Sequence, residues 1–310
     1  MVDSFSIDKL TDVDLFSTVE LCATALDLPE DSAEAAHIVR RLWRTDPGSP
    51  TPHRTVGFRA TAGGLLVGVV LGSVSHHDPT IGHVDLIVVD PDRRRRGIGR
   101  ALLVRTEQEL AGLDAREIRL AGNPPYYAWP GIDVRYTPAV CLALALGYER
   151  EGTAWNMTAD LSFETSPALR PTDAAEARLA ARGITVRRAS PDDAARLVKF
   201  AAAHFDRVWA AEVADSVGRT GAGCHIAVRD RDLLGFAAYG SSRPSWFGPM
   251  GTAPAARGLG IGAVLLRRCL REQRTSGHEQ AQIAWVGPVP FYAESAGARI
   301  DRVFCLFSKQ

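Results

Sequence analysis

Val89-Asp90-Pro91-Asp92-Arg93-Arg94-Arg95-Arg96-Gly97-Ile98-Gly99-Arg100-Ala101-Leu102-Leu103 recurs in outline 163 positions later. The second copy reads Thr252-Ala253-Pro254-Ala255-Ala256-Arg257-Gly258-Leu259-Gly260-Ile261-Gly262-Ala263-Val264-Leu265-Leu266. At this one offset Pro91 meets Pro254, Arg94 meets Arg257, and Gly97-Ile98-Gly99 meets Gly260-Ile261-Gly262. Farther along, Arg105 meets Arg268 and Glu109 meets Glu272. Each copy ends an apolar run of strand character and opens an apolar-periodic run of helical character. Glycines let successive backbone N–H groups turn toward one anion. The helix N-terminus behind them adds partial positive charge, and an arginine at the loop start can fork onto phosphate oxygens. The pattern therefore implies two copies of one phosphate-binding unit.

A chain of 310 residues suits two domains of ordinary size, and either half is long enough to bury its own core. Lys and Arg balance Asp and Glu at 36 each, so the molecule as a whole does not attract nucleic acid or an anionic membrane. The run Arg93–Arg96 is a local basic spot without the aromatic interleaving of a nucleic-acid surface. The opening Met1-Val2-Asp3-Ser4-Phe5 lacks the basic start and apolar core of a secretory leader, and the longest apolar runs fall short of a bilayer span. Cys22, Cys141, Cys224, Cys269 and Cys305 are scattered and without metal-ligand spacing. We read reduced thiols, a cytoplasmic protein and no metal.

A change of composition over Glu164–Arg182 marks a linker, giving an N-terminal domain over 1–163, a linker over 164–182 and a C-terminal domain over 183–310. Both domains restart alike, with a short alternating strand (Phe5–Leu10, Ile184–Ala189) leading into a helix capped by Thr11 or Ser190. In the first half, strands are expected at Thr55–Ala60, Leu65–Ser75, His83–Val89 and Glu117–Ala121, with Ala154–Leu161 closing the sheet. Helices are expected at Asp12–Ala25, Ala33–Trp43, Ile98–Ala111 and Pro138–Leu146. The second half repeats the scheme with strands at Ile226–Arg229, Leu233–Tyr239, Trp246–Thr252, Gln282–Val286 and Arg299–Ser308, and helices at Ala194–His204, Ile261–Arg271 and Pro290–Ala296. This is an α/β (α+β) mixed sheet with helices on both faces, built twice.

Two familiar phosphate loops do not fit. A Walker loop needs Gly-Lys-Ser/Thr, which neither copy has, and the dinucleotide fingerprint needs a third glycine where Leu102 and Leu265 stand. What remains, Arg-x-x-Gly-x-Gly after strand-x-Pro and before a helix, resembles the GNAT superfamily of acyl-CoA-dependent N-acyltransferases. The resemblance covers nearly the whole chain as a tandem pair. It implies that acetyl-CoA is the co-substrate, its pyrophosphate held by Arg94, Arg95, Arg96, Gly97, Ile98, Gly99 and Arg100 in one copy. Arg257, Gly258, Leu259, Gly260, Ile261, Gly262 and Ala263 are the counterparts in the other. It also implies that the pre-loop strand, at Val88-Val89 and Gly251-Thr252, pairs with the pantetheine arm. A copy whose loop no longer holds CoA is the alternative for either half.

Acyl transfer from a thioester needs a neutral amine, a held oxyanion and a protonated leaving thiolate. The resemblance implies a tyrosine for the thiolate on the helix after the next strand. Phe291-Tyr292-Ala293-Glu294-Ser295-Ala296-Gly297 supplies Tyr292, whereas the same count back from Gly147 falls on Leu142. Tyr292 as an aromatic packed beneath the sheet is the plainer reading. Base candidates lie in the other half: alternation along His83-Val84-Asp85-Leu86-Ile87 puts His83 and Asp85 on one face, with His83 as a structural residue equally open. The loop Asn123–Tyr136 offers Tyr126, Tyr127, Trp129 and Asp133 as walls and anchor for a small cationic acceptor, or simply a stiffened loop. The expected activity is acetyl transfer from acetyl-CoA to a small-molecule amine, by a monomer with pseudo-twofold domains or by a homodimer. The alternative is a non-catalytic acyl-CoA-binding module.

Overall fold

The structure, a computed structural model, describes residues 4–43 and 54–310. Met1–Asp3, the start of the stretch read above for leader character, lie outside the described residues. Two units emerge from the packing: residues 1–154 together with 303–310, and residues 155–302.

In the first unit, β1 (Ser6–Lys9), β2 (Thr55–Ala62), β3 (Leu65–Val74) and β4 (Ile81–Val89) form an antiparallel meander. β4 then runs parallel to β5 (Glu117–Leu120). A parallel pair needs a crossover, and α4 (Ile98–Ala111) provides it. The helices α1 (Leu15–Ala25), α2 (Pro29–Ser32) and α3 (Ala35–Leu42) precede β2. Thr11 starts the first of these turns by a capping box, its backbone N–H donating to Asp14 Oδ2 at 2.9 Å. Alternate residues of β3 serve two cores. Val70 and Val74 pack with Ile98, Leu102 and Leu110 of α4, while Val69 and Leu71 pack with Leu21, Ile38 and Leu42. Both faces being covered, the strand is apolar on both, which its unbroken hydrophobic run reflects. After β5 come β6 (Ile132–Asp133), α5 (Thr137–Ala145) and the strand β7 (Glu149–Asp160).

The second unit follows the same plan. α6 (Asp173–Ala180) leads to β8 (Ile184–Arg188), then α7 (Ala194–His204) and α8 (Arg207–Ser216). The strands β9 (Gly223–Arg229), β10 (Asp232–Tyr239) and β11 (Trp246–Thr252) continue the antiparallel order. Following α9 (Ile261–Thr275), β12 (Gln280–Ile283) lies parallel to β11. α10 (Val289–Ala296) and β13 (Arg299–Lys309) complete the order. The 163-residue offset reaches the register itself: His83 and Val84 face Arg119 and Leu120, and Trp246 and Phe247 face Gln282 and Ile283.

Two strands depart from expectation. Ala154–Leu161 does not close the first sheet; its residues Met157–Asp160 pair antiparallel with β12 of the second unit. The first sheet is completed by β13, with Ser308 opposite Arg119 and Lys309 opposite Ile118. Both segments are alternating apolar strands, and such a pattern fixes which face is buried without saying which edge is joined. α8 was not expected, although Asp206 before it is a start signal and accepts a hydrogen bond from the Trp209 backbone N–H at 2.7 Å. Among the described residues, no helix is long and apolar enough to cross a membrane.

Candidate active site

In each unit the parallel strands part after two residue pairs of the register just given. Beyond Val84 and Leu120 the β5 side of β4 has no ladder partner among the described residues, so backbone groups of Asp85–Val89 face an opening. A bulge sharpens the divergence. Leu71 faces Leu86 but Gly72 faces Val84, which leaves Asp85 as the extra residue on β4. β11 bulges at the equivalent place, between Met250 and Phe247, and there the residue at the position of Asp85 is Gly248.

The glycine loop closes one end of the opening. Gly97 and Gly260, directly before α4 and α9, hold φ of 86° and 83°. Such angles suit glycine, since an L side chain in this region costs about 1–2 kcal/mol. Arg94 lays its guanidinium across Asp27 at 3.0 and 3.1 Å, and also donates to the carbonyls of Ala25 at 2.8 Å and Val89 at 3.2 Å. It thereby ties the end of α1 to the end of β4. Arg257 repeats only the last of these bonds, to the Thr252 carbonyl at 3.5 Å.

A cavity of about 640 Å³ in the first unit is lined by Asp85–Val89, the loop residues Arg93–Arg95 and Gly97–Arg100, and Leu120-Ala121. Leu142 of α5, the residue at the tyrosine's place, is part of its wall. Of the expected loop contacts, Arg96 is not in the wall; it donates to the Asp92 carbonyl at 3.3 Å. In the second unit the nearest atoms to Gly262 come from Phe291 and Met250, and the Phe205 ring covers Gly251.

Asp85, at the bulge, is one of the residues lining this cavity and is 4% exposed. Its Oδ2 accepts from Ser73 Oγ at 2.6 Å, while Oδ1 is buried without a protein partner. Burial pushes its carboxyl up to about 7, against a smaller opposing effect of the Ser73 bond. His83 is buried too but contributes nothing to the cavity wall. Its Nδ1 lies 2.9 Å from the Ala121 carbonyl, which only accepts, so Nδ1 carries the proton. Burial takes the imidazole down to about 4, keeping it neutral.

The Asn123–Tyr136 loop is divided. Trp129 and Asp133 line the cavity, whereas Tyr126 and Tyr127 do not. Tyr126 instead lies under the Arg41 guanidinium, 4.7 Å from the ring centroid. Asp133 is held by Arg135, at 3.1 Å to Nε and 2.9 Å to a terminal nitrogen, and Arg135 also reaches Glu30 at 2.7 Å. Tyr136, which lines the same wall, and Trp129 both donate to buried Asp31, at 3.0 and 3.1 Å. The links to Glu30 and Asp31 are not legible in the sequence, because those partners lie about 100 residues upstream. Asn123 and Ser73, absent from the expected site, stand behind Asp85.

Tyr292 belongs to the second unit and is 7% exposed. Its ring sits 6.3 Å from that of Phe247, the last residue of β11 paired with β12, and 5.0 Å from Phe291. Burial raises its hydroxyl well above the usual phenol range. Among the described residues no cluster of three His, Cys, Asp or Glu side chains is arranged to hold a metal.

A profile of the acetyltransferase (GNAT) family matches residues 20–128, within the first unit. The mycothiol acetyltransferase of Salinispora tropica is 31% identical over 295 residues, covering 86% of this chain and 85% of that protein. That of Salinispora arenicola is 31% identical over 155 residues, an alignment spanning 50% of this chain and only 44% of that relative. Among solved structures, a tandem GNAT protein from the clavulanic acid biosynthesis pathway superposes with a TM-score of 0.69 at 19% identity, covering 99% of this chain and 98% of its own. Two loop–helix units in one order, and a relative matched over most of both lengths, make this chain a tandem-domain member of the GNAT acetyltransferase family and an acyltransferase.

Proposed function

We propose that the chain transfers an acetyl group from acetyl-CoA to the amine of a small molecule, and that the transfer takes place in the first unit. The observation that carries this reading is one continuous cavity whose wall includes both the anion loop and Asp85, a carboxyl with one oxygen left without a protein partner. The loop N–H groups and the side chains of Arg93, Arg95 and Arg100 meet the pyrophosphate, while Arg94, spent on Asp27, holds the loop to α1. Val88 and Val89 offer backbone groups to the pantetheine arm. Asp85 takes a proton from the acceptor's ammonium, and the neutral amine forms the C–N bond. As the C–S bond breaks, the nitrogen gives a second proton to the departing sulfur. Trp129 bounds the acceptor. Tyr126, Tyr127 and Asp133, fixed by other partners, support this wall rather than bind directly. Acetyl-CoA is the only cofactor this chemistry needs.

A second reading puts the chemistry in the second unit. It is favoured by the position of Tyr292 beside Phe247, where β11 and β12 part. Calorimetry with acetyl-CoA separates the two. Gly99→Asp abolishes the binding if the first loop is the site, and Gly262→Asp does so if the second is. A panel of amines, headed by mycothiol-related amines because the relatives are named for mycothiol, followed by amino sugars, polyamines and amino acids, then reports the acceptor by thiol release.

A further inference from the structure

Three side chains of the first unit form a directed chain that ends at Asp85, one of the residues lining the cavity. Asn123, 1% exposed, places Nδ2 3.3 Å from the Val74 carbonyl and 2.8 Å from Ser73 Oγ. A carbonyl only accepts, so the amide nitrogen is the group at that corner and Asn123 donates to Ser73. Ser73, fully buried, has one proton and gives it to Asp85 Oδ2 at 2.6 Å. Oδ2 is therefore occupied as an acceptor whatever the protonation of the carboxyl. Oδ1, buried and without a protein partner, is the oxygen with both lone pairs uncommitted, and Asp85 lines the cavity.

We propose that Ser73 and Asn123 are positioning residues that hold Asp85 by Oδ2 and leave Oδ1 as the oxygen that exchanges the proton. The inference rests on the reading of Asp85 as the base. The bond direction does more than orient the carboxyl. A donor aimed at Oδ2 favours the anion, so it offsets part of the penalty of burial and keeps the base ionised in the neutral range.

Four other ionisable groups around the cavity are engaged elsewhere. Asp27 is paired with Arg94, Asp133 with Arg135, Tyr136 with Asp31, and His83 with the Ala121 carbonyl. Glu117 and Arg119 of β5 act on His83. Arg93, Arg95 and Arg100 stand at the loop end, and Cys141 lines the α5 side.

The test is the pH profile of kcat/KM in the full-length protein. Ser73→Ala should move the acidic limb upward by about one pH unit, the size expected when a hydrogen bond to a charged group is lost. Ser73→Thr, which keeps the hydroxyl, should restore it. Asn123→Ala should shift the limb the same way by less, and acetyl-CoA affinity should stay unchanged in all three. Should Ser73→Ala fail to fold, Asn123→Ala alone decides. An unmoved limb, or a loss of rate equal at every pH, overturns the inference. Asp85→Asn separates this failure from that of the underlying reading. If it leaves turnover intact, Asp85 is not the base; if it abolishes turnover while the limb stays put, only the positioning role fails.

Discussion

Arg95 and Gly258 occupy the same turn of the two loops, with φ of 65° and 77°. One copy meets the left-handed backbone with glycine, as sterics favour, and the other imposes it on an arginine. A strained residue that lines a ligand cavity is a mark of function. Arg95→Gly should therefore leave stability unchanged or raise it by up to about 1 kcal/mol, while weakening acetyl-CoA binding. Thermal melts and calorimetry on the same variant check both halves.

Gly97→Ala and Gly260→Ala form a matched pair. An added Cβ meets nothing within 4 Å at either position, so the whole cost comes from the backbone angle. Each should lose about 1–2 kcal/mol, read as a shift in denaturant midpoint. A markedly unequal pair would show that one loop relaxes differently.

Asp85→Asn should reduce kcat by about 10²- to 10⁴-fold, the range for a lost general base, without changing the acetyl-CoA Kd. It should also stabilise the protein at high pH. The folded state raises this carboxyl from 3.8 to about 7, so it binds the proton more tightly than the unfolded chain does. Its contribution is fully present below pH 4 and is lost as pH rises through 7. The asparagine lacks that loss, and its advantage should grow between pH 4 and 8 to on the order of 4 kcal/mol. Urea unfolding at the two pH values measures it.

Tyr292→Phe should leave turnover within about twofold if the transfer occurs beside Asp85. A hundredfold loss in a folded variant would move the chemistry to the second unit.

Glu272→Ala should destabilise the second unit by about 2 kcal/mol or more. Glu272 Oε2 accepts from Arg188 and from Tyr239, each at 2.9 Å, and Oε1 lies 3.0 Å from buried His225 Nε2. Its counterpart Glu109 joins Lys9 at 2.9 Å in the same strand-to-helix tie, but there the lysine is mostly exposed and the pair is screened by solvent. Glu109→Ala should cost far less, and paired melts compare the two.

Local pattern made the loops, their flanking strands and helices, and the duplication readable, because each depends on residues within a few turns of one another. The carboxyl at the bulge was readable as a candidate from the alternation of β4. What favours Asp85 over His83 was not, since the bulge arises from pairing with β3 and the burial from packing. Ser73 and Asn123 gave no signal at all. One sits in an apolar strand and the other beside two prolines, and only the fold brings them to one hydrogen-bonded chain. The strand exchange was equally silent, for the reason that β7 and β13 are alike in pattern.

That exchange sets an order on biosynthesis. Residues 303–310 leave the ribosome after every residue of the second unit, yet they supply the strand that β5 of the first unit pairs with. The half that is translated first is thus the half that finishes last. Until then its β5 edge stays open to partners from other chains, and a premature stop that spares both glycine loops would still leave the cavity-bearing half without its final strand.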